Sequence, residues 1–278
     1  MPEGDTVWLT AKRLTDALAG TPVVRSDIRT PRLALVDLTG RTMSQAVGVG
    51  KHLLMRFDDG HTLHSHLRMD GSWFLRPTGS TRRRGPDHAI RAILGTAEWE
   101  AVGYRIHDLS VLRTDDEARV VGHLGPDILS PDWDDSGRNV ALSNITATPD
   151  ATIGEAVLDQ RNLAGIGNLY KLETLFVQRV NPYLAVSEVD VGAVLDTAHR
   201  LMLANRDHPA QTTTGFTGRG QEHWVYGRLG EPCLRCRGPI NRAEQGVPPQ
   251  QRVTYWCPKC QPGPTPPGVQ TAKRRSRY

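Results

Sequence analysis

All four cysteines of the chain, Cys233, Cys236, Cys257 and Cys260, fall within 28 residues, as two Cys-x2-Cys pairs separated by a 20-residue spacer. Two such pairs can each offer two thiolates to one tetrahedral zinc ion, and this spacing belongs to metal binding. A disulfide or redox pair is the competing reading, disfavoured in a reducing compartment. Four sulfur ligands leave no open coordination position, so one structural zinc ion is expected, holding a fold rather than doing chemistry.

Charge is divided in the same place. Residues 1–218 carry 23 Lys and Arg against 27 Asp and Glu, whereas residues 219–278 carry 11 against 3. The basic end points to a polyanion partner. A solvated tail accounts for part of the excess only, because Lys273, Arg274, Arg275 and Arg277 supply four of the eleven. At 278 residues, with 38% hydrophobic and 23% charged residues, the chain reads as an ordinary globular protein of about two domains. No run approaches the ~18 apolar residues of a membrane span, and the Met-Pro-Glu-Gly-Asp start lacks the order of a signal peptide. A cytoplasmic protein is expected.

Local signals order the rest. Asp5 or Thr6 reads as the cap of a first helix striped by Val7, Ala11, Leu14 and Leu18 and ended by Gly20. Pro2 and Glu3 then lie just before a helix N-terminus, where the dipole is positive. Residues 21–125 are strand-like, with Asp58-Asp59-Gly60 as a hairpin turn and Arg82-Arg83-Arg84 as a basic loop. A polar stretch over 129–149 reads as a linker. Helices follow: one opened by Thr152 and Glu155 and running through Gln160, one from Asn168 to Gln178, and one opened by Ser187 and Asp190. The last residues, rich in proline, read as a disordered basic tail.

Pro2-Glu3-Gly4, Lys51 in GVGKHLLMRF, the segment LDQRNLAGIGNLYKLETLF from Leu158 to Phe176, and QRVTYWCPKC in the cysteine region together resemble the Fpg/Nei family. Its members are bifunctional DNA glycosylases and abasic-site lyases. The resemblance implies an α+β chain: an N-terminal catalytic β-sandwich (1–128), the linker (129–149), a helix-two-turns-helix domain (150–218), a zinc-bound β-ribbon (219–261) and the tail (262–278). It also implies damaged double-stranded DNA as partner, no membrane, and a monomer.

The chemistry of such a site can be stated from the residues. A neutral amine releases a base by capturing the anomeric carbon of its sugar, and Pro2 supplies that amine if Met1 is removed. A secondary amine gives a charged iminium directly. Glu3 beside it would move protons to and from the opening sugar, and Lys51 would hold a phosphate or assist proton transfer. Asn168, behind Gly165-Ile166-Gly167 at a helix start, suits a phosphate, with a helix cap as its bland alternative. Arg252 matches the family arginine that contacts phosphates flanking the lesion and assists the second elimination, which its planar fork suits. Extrusion of a base leaves a hole, and Met69 with Arg68 in SHLRMDG is the wedge candidate, against a buried core methionine. His123 is a further DNA-contact candidate. His64 and His66 share a strand face, but no carboxylate or cysteine pattern accompanies them as a metal site would require.

Departures from the family pattern bear on substrate. Thr6 stands where a second glutamate is common, residues 104–111 lack an Arg-x-Phe element, Gly154 replaces a lysine of the 8-oxoguanine branch, and Gly246-Val247-Pro248-Pro249 lengthens the cysteine spacer. These favour the endonuclease VIII side, removing oxidised pyrimidines, over a formamidopyrimidine or 8-oxoguanine enzyme. A non-catalytic module for damaged DNA is the rival, but binding alone does not call for an N-terminal amine.

Overall fold

A computed structural model describes residues 2–271, in two compact units, one ending at His123 and the other beginning at Leu124. In the first, α1 (Gly4–Leu18) buries Val7, Ala11, Leu14 and Leu18 along one face. The helix starts earlier than its sequence signals indicate. Glu3 occupies the cap position with extended backbone, and neither Asp5 nor Thr6 does. Asp5 lies in the first turn of α1 and is itself buried.

Behind α1 lie two antiparallel four-stranded sheets. One has the order β1 (Arg25–Ile28), β6 (Ile90–Gly95), β7 (Trp99–Tyr104), β5 (Ser72–Pro77). The other runs β2 (Met43–Val49), β3 (His52–Phe57), β4 (His61–His66), β8 (Asp108–Arg113). Their inward side chains, among them Ala92, Leu94, Ala101, Leu53, Met55 and Leu63, merge with those of α1 into one core. Because side chains alternate with period two, the opposite face of the second sheet carries a different set. The register places His52, His66 and Asp108 in one row, Leu54, His64 and Ser110 in the next, and Arg56, Thr62 and Leu112 in a third. This polar face is closed at its far end by Glu117, which binds Arg56 at 2.7 and 2.9 Å and Thr62 at 2.7 Å.

The second unit is helical, with a small sheet. Its helices are α3 (Arg138–Thr146), α4 (Ile153–Leu158), α5 (Asn168–Val177) and α6 (Val191–Asn205), preceded in the chain by the four-residue α2 (Ala118–Val121) of the first unit. The stretch 129–149 is not a plain linker. A π-helical turn over Trp133–Gly137 runs into α3, and Trp133, Ala141 and Ile145 are fully buried, so three apolar anchors outweigh the polar composition. Helix α4 stops at Leu158, where Asp159 turns to extended backbone, and the Gln160 side chain braces the segment that follows: its amide binds the Leu158 and Ile166 carbonyls and the Gly165 N–H. That brace fixes the turn at Gly165, whose φ of 102° suits only glycine. Helix α6 is capped by Asp190, which accepts from the Ala193 N–H at 3.0 Å, and Ser187 lies outside it.

Helix α5 is buried over almost its whole length. It packs Leu172 and Phe176 against Val225, Ile240, Cys233 and Cys257. The ribbon strands β9 (Asn241–Gln245) and β10 (Arg252–Trp256) form a hairpin around the long loop that begins at Gly246. A short β11 (Gln270–Thr271) pairs with the other edge of β9, and Asn181 holds the Gln261 and Pro264 carbonyls. The expected disordered tail therefore packs as far as Thr271, through strand pairing that its composition does not announce. Lys273, Arg274, Arg275 and Arg277 lie outside the described residues.

Candidate active site and nucleic-acid interface

In the first unit, Pro2 directly precedes the cap residue of α1, and Glu3 is 0% exposed. A solvated acid at a helix start is thus not what the fold builds. The first turn of α1 rests on Gly48 of β2: a Cβ there would meet Val7 Cγ1 at 3.2 Å and the Trp8 backbone nitrogen at 3.4 Å. Two residues further, Gly50 takes φ 58° in the two-residue turn joining β2 to β3, and Lys51 completes that turn. The absence of a side chain at position 48 therefore sets the start of α1 and the Lys51 turn at the same end of this unit.

Next to that turn, Arg68 has φ 50° and a bidentate pair to Asp108, at 2.5 and 2.9 Å. The guanidinium holds the Asp108 carboxyl below its usual range. Met69 is 67% exposed at the tip of the loop, outside the core. Gly71 closes the loop by donating to the Leu67 carbonyl at 2.9 Å, and a Cβ at 71 would lie 2.5 Å from that oxygen. Asp70 faces Arg105 and His107 at 3.9 and 3.6 Å.

Sequence reasoning missed the surroundings of His64 and His66. His52, immediately after Lys51, reaches His64 with 2.9 Å between Nδ1 and Nε2, and His64 Nδ1 lies 3.1 Å from Ser110 Oγ. His66 lies edge-on to His52 with ring centroids 4.9 Å apart, and His123 is 6.1 Å away. Burial, reinforced by the neighbouring imidazoles, pushes His52 down to about 3 and His64 to about 4, and burial lowers His66 as well. The available signal was the run of histidines at alternate positions in a hairpin, which places them on one face.

In the second unit, Asn168 is the first residue of α5, with Gly167 as the cap. Its Nδ2 donates to the Val253 carbonyl at 2.8 Å, while its buried Oδ1 has no partner among the described residues. The start of α5 is thereby tied to the strand that carries Arg252. Arg252 is exposed and its Nη1 rests on the Gln250 and Gln251 carbonyls at 3.2 and 2.9 Å, so the guanidinium keeps donors for an outside acceptor. Arg252→Ala is expected to make the plot of log affinity for DNA against log salt shallower by about 1, as loss of one phosphate contact does, measured by anisotropy titrations. An unchanged slope would remove Arg252 from the phosphate contacts.

Behind this point lies a polar core. The fully buried Lys171 donates to Thr254 Oγ1 at 3.0 Å and to Gln245 Oε1 at 3.4 Å, and Gln245 Nε2 binds Thr152 and the Pro182 carbonyl. The Gln245 amide occupies the space that a side chain at 154 would enter: a Cβ on Gly154 would lie 2.4 Å from Gln245 Oε1. A side chain at 154 would displace the Gln245 amide from its partners Thr152 and the Pro182 carbonyl. On the same helix, the buried Glu173 accepts from the backbone N–H groups of Trp224, Val225 and Tyr226 at 2.7 to 2.9 Å, and from Thr213.

The four cysteine sulfurs lie within 4.8 Å of one another, with Cys236 to Cys257 at 3.4 Å and Cys233 to Cys260 at 3.9 Å. Zinc–sulfur bonds of about 2.3 Å in a tetrahedron require sulfurs about 3.8 Å apart, so the donor set fits one zinc ion. Arg235 covers this region, its guanidinium 4.4 Å from the Phe176 ring centre. Among the described residues the histidine pair does not extend to a comparable group of three metal donors.

Comparison with known proteins agrees with this arrangement. Residues 1–124 match the Formamidopyrimidine-DNA glycosylase N-terminal domain, and residues 230–263 match the Zinc finger found in FPG and IleRS. The chain is 55% identical to the probable endonuclease 8 2 of Streptomyces coelicolor over the full length of both. It is 42% identical to the DNA-(apurinic or apyrimidinic site) lyase Nei2 of Mycolicibacterium smegmatis, over 94% of this chain and 99% of that one. The formamidopyrimidine-DNA glycosylase of Lactococcus lactis, solved bound non-covalently to DNA containing an abasic site, has the same fold. The TM-score is 0.75 at 23% identity, over 94% of this chain and all of that one.

Proposed function

The chain belongs to the Fpg/Nei family, and from that premise we propose that it is a bifunctional DNA glycosylase and abasic-site lyase of base excision repair, acting on oxidised pyrimidines in double-stranded DNA. The observation that carries the reading is the pairing of Pro2 with a fully buried Glu3 at the positive end of α1, at the same end of the unit as the Lys51 turn.

The Pro2 nitrogen attacks C1′ of the damaged nucleotide, the base leaves with the electrons of its glycosidic bond, and a sugar iminium remains. The positive helix end favours the neutral, nucleophilic amine. Glu3, held out of water beside it, accepts and returns the protons of ring opening. Loss of the C2′ proton then expels the 3′ phosphate, and a second elimination expels the 5′ phosphate. Lys51, Asn168 and Arg252 hold phosphate oxygens, while Met69 and Arg68, with His123, engage the duplex around the extruded nucleotide. The zinc ion, held by Cys233, Cys236, Cys257 and Cys260, fixes the strand that presents Arg252 and takes no part in the chemistry.

The glycine at 154 and the lack of Arg-x-Phe over 104–111, both departures from the 8-oxoguanine pattern, support the pyrimidine branch. No helix among the described residues is long and apolar enough to cross a membrane, in keeping with a nucleoid enzyme of the cytoplasm. We take the active species to be a monomer. Borohydride trapping on duplexes bearing thymine glycol, dihydrouracil, 8-oxoguanine or an abasic site is expected to give adducts on the two pyrimidine lesions and the abasic site. Adducts on 8-oxoguanine in preference would move the enzyme to the other branch, and tight binding without any adduct would make it a non-catalytic module.

A further inference from the structure

Residues 76–91 carry five arginines against one acid, Asp87, and span the connection from β5 to β6. Both strands pair antiparallel with β7, with Ser72 and Ile90 each opposite Tyr104. The connection therefore leaves β5 at the Trp99 end of β7 and must return to the Tyr104 end, a path of about 17 Å along a strand of that length. It crosses the outward face of the sheet, where Ala89 and Ile90 cluster with Ile93, Val102 and Tyr104, apart from the core shared with α1. Three contacts fix the crossing. Arg76 Nη1 donates to the Arg82 carbonyl at 3.0 Å, the Arg84 N–H donates to the Tyr104 hydroxyl at 3.4 Å, and Gly85 lies on the Tyr104 ring, which a Cβ there would meet at 3.3 Å.

These contacts leave the charge outside. Arg76 is taken up by Glu100 at 2.7 Å, and Arg91 rests on the His88 and Ile90 carbonyls. Arg82, Arg83 and Arg84 are exposed. Arg83 pairs with Asp87 at 2.8 Å, whereas Arg82 and Arg84 have no carboxylate among the described residues. Adjacent guanidiniums repel one another, and a loop tied down at its backbone relieves that repulsion by taking an outside anion. The strip also has a direction. Its end meets the loop that carries Met69: the Arg105 N–H donates to the Ala89 carbonyl at 2.8 Å, and the Arg105 side chain faces Asp70, the neighbour of Met69, at 3.9 Å.

We propose that Arg82 and Arg84 bind backbone phosphates of the duplex on one flank of the lesion, forming a DNA-binding surface that runs outward from the Met69 loop along the first sheet. This rests on the reading that the Met69 loop meets duplex DNA. The planar fork of arginine matches phosphate oxygens, and contacts of this kind add affinity and register on any sequence. Extruding a nucleotide unstacks the duplex and bends it, at a cost in deformation energy. A grip on the intact flank holds the duplex in place while that happens, and it leaves the choice of lesion to the residues around the extruded base.

The test uses the full chain with Met1 removed, in anisotropy titrations over a range of salt, on duplexes carrying one stable abasic-site analogue. One duplex has about ten base pairs on each side of the analogue, and two others are cut back to about three on one side or the other. On the long duplex the double variant Arg82→Ala with Arg84→Ala should make the plot of log affinity against log salt shallower by about 2 and weaken binding about tenfold. The corresponding double lysine variant, which keeps both charges, should keep the parental slope. On one shortened duplex, and not on the other, the parent and the alanine variant should bind alike. An unchanged slope on the long duplex overturns the surface. So does a slope reduced equally on all three duplexes, which is a general field effect, and so does a slope lost in the lysine variant as well, which is a change in the loop itself. Borohydride trapping of the parent on a true abasic site separates this from the lyase reading. A parent that traps normally while the alanine variant keeps its slope loses only the surface. A parent that forms no adduct and cuts no strand, with the slopes as expected, loses the lyase reading and keeps the surface.

Discussion

Pro2→Gly is expected to cut the rate of borohydride-trapped adduct formation on abasic-site DNA by about a hundredfold, some 2.7 kcal/mol of barrier. Proline at the processed terminus is a secondary amine, so attack at C1′ yields an iminium that carries its charge at any working pH. A glycine amine yields an imine that must first be protonated, and its freely rotating backbone does not hold the nitrogen against the start of α1. The buried Glu3 sharpens the expectation, because a carboxylate fixed out of water serves a nucleophile held at one position. DNA affinity should change little, since the phosphate-holding residues are untouched. Adduct formation at the parental rate in Pro2→Gly, measured by denaturing gel after reduction, would assign the nucleophile to another amine, with Lys51 the first to examine.

Cys257→Ser is expected to bring zinc content from about one ion per chain to near zero and to weaken DNA binding by tenfold or more, because structural zinc supplies the folding energy of small ribbons. The effect should spread beyond the ribbon. Cys257 is fully buried in the cluster that seats Leu172 and Phe176 of α5, and its backbone N–H is held by Gln261 at 3.0 Å. Loss of the ion would also release β10, and with it the Val253 carbonyl that positions Asn168. Metal analysis and anisotropy titration on one preparation check both parts. Full zinc content together with unchanged affinity would dismiss the indirect role of the metal.

Much of this was legible because its chemistry is local. The cysteine pairs, the glycine before Lys51 and the turn at Gly60 each declare themselves within a few residues, as did the apolar stripe of α1. The hydrogen-bonded histidine cluster was not legible, since His52, His64 and Ser110 meet only through the register of three strands, and register is a long-range property. Residues 129–149 misled for another reason: Trp133, Ala141 and Ile145 are spread among acids and serines, and only their common burial makes that segment a packed element. Ser187 and Asp190 read together as one capping box, whereas Ser187 lies in a 3-10 turn over Val186–Glu188 and Asp190 alone caps α6. Lys171 and Glu173 of α5 are both interior, each satisfied by groups far along the chain, which no local pattern announces.

The pairing of β11 with β9 changes what counts as the minimal zinc module. A chain cut after Gln261 keeps every sulfur ligand yet strips the two-residue outer strand from β9, baring backbone groups beside Asn241 and Arg242 at a sheet edge, the kind of surface by which separate molecules add to one another. Residues beyond the last cysteine thus act as an edge guard for the ribbon, so shortened versions of this protein invite self-association even when their metal content is complete.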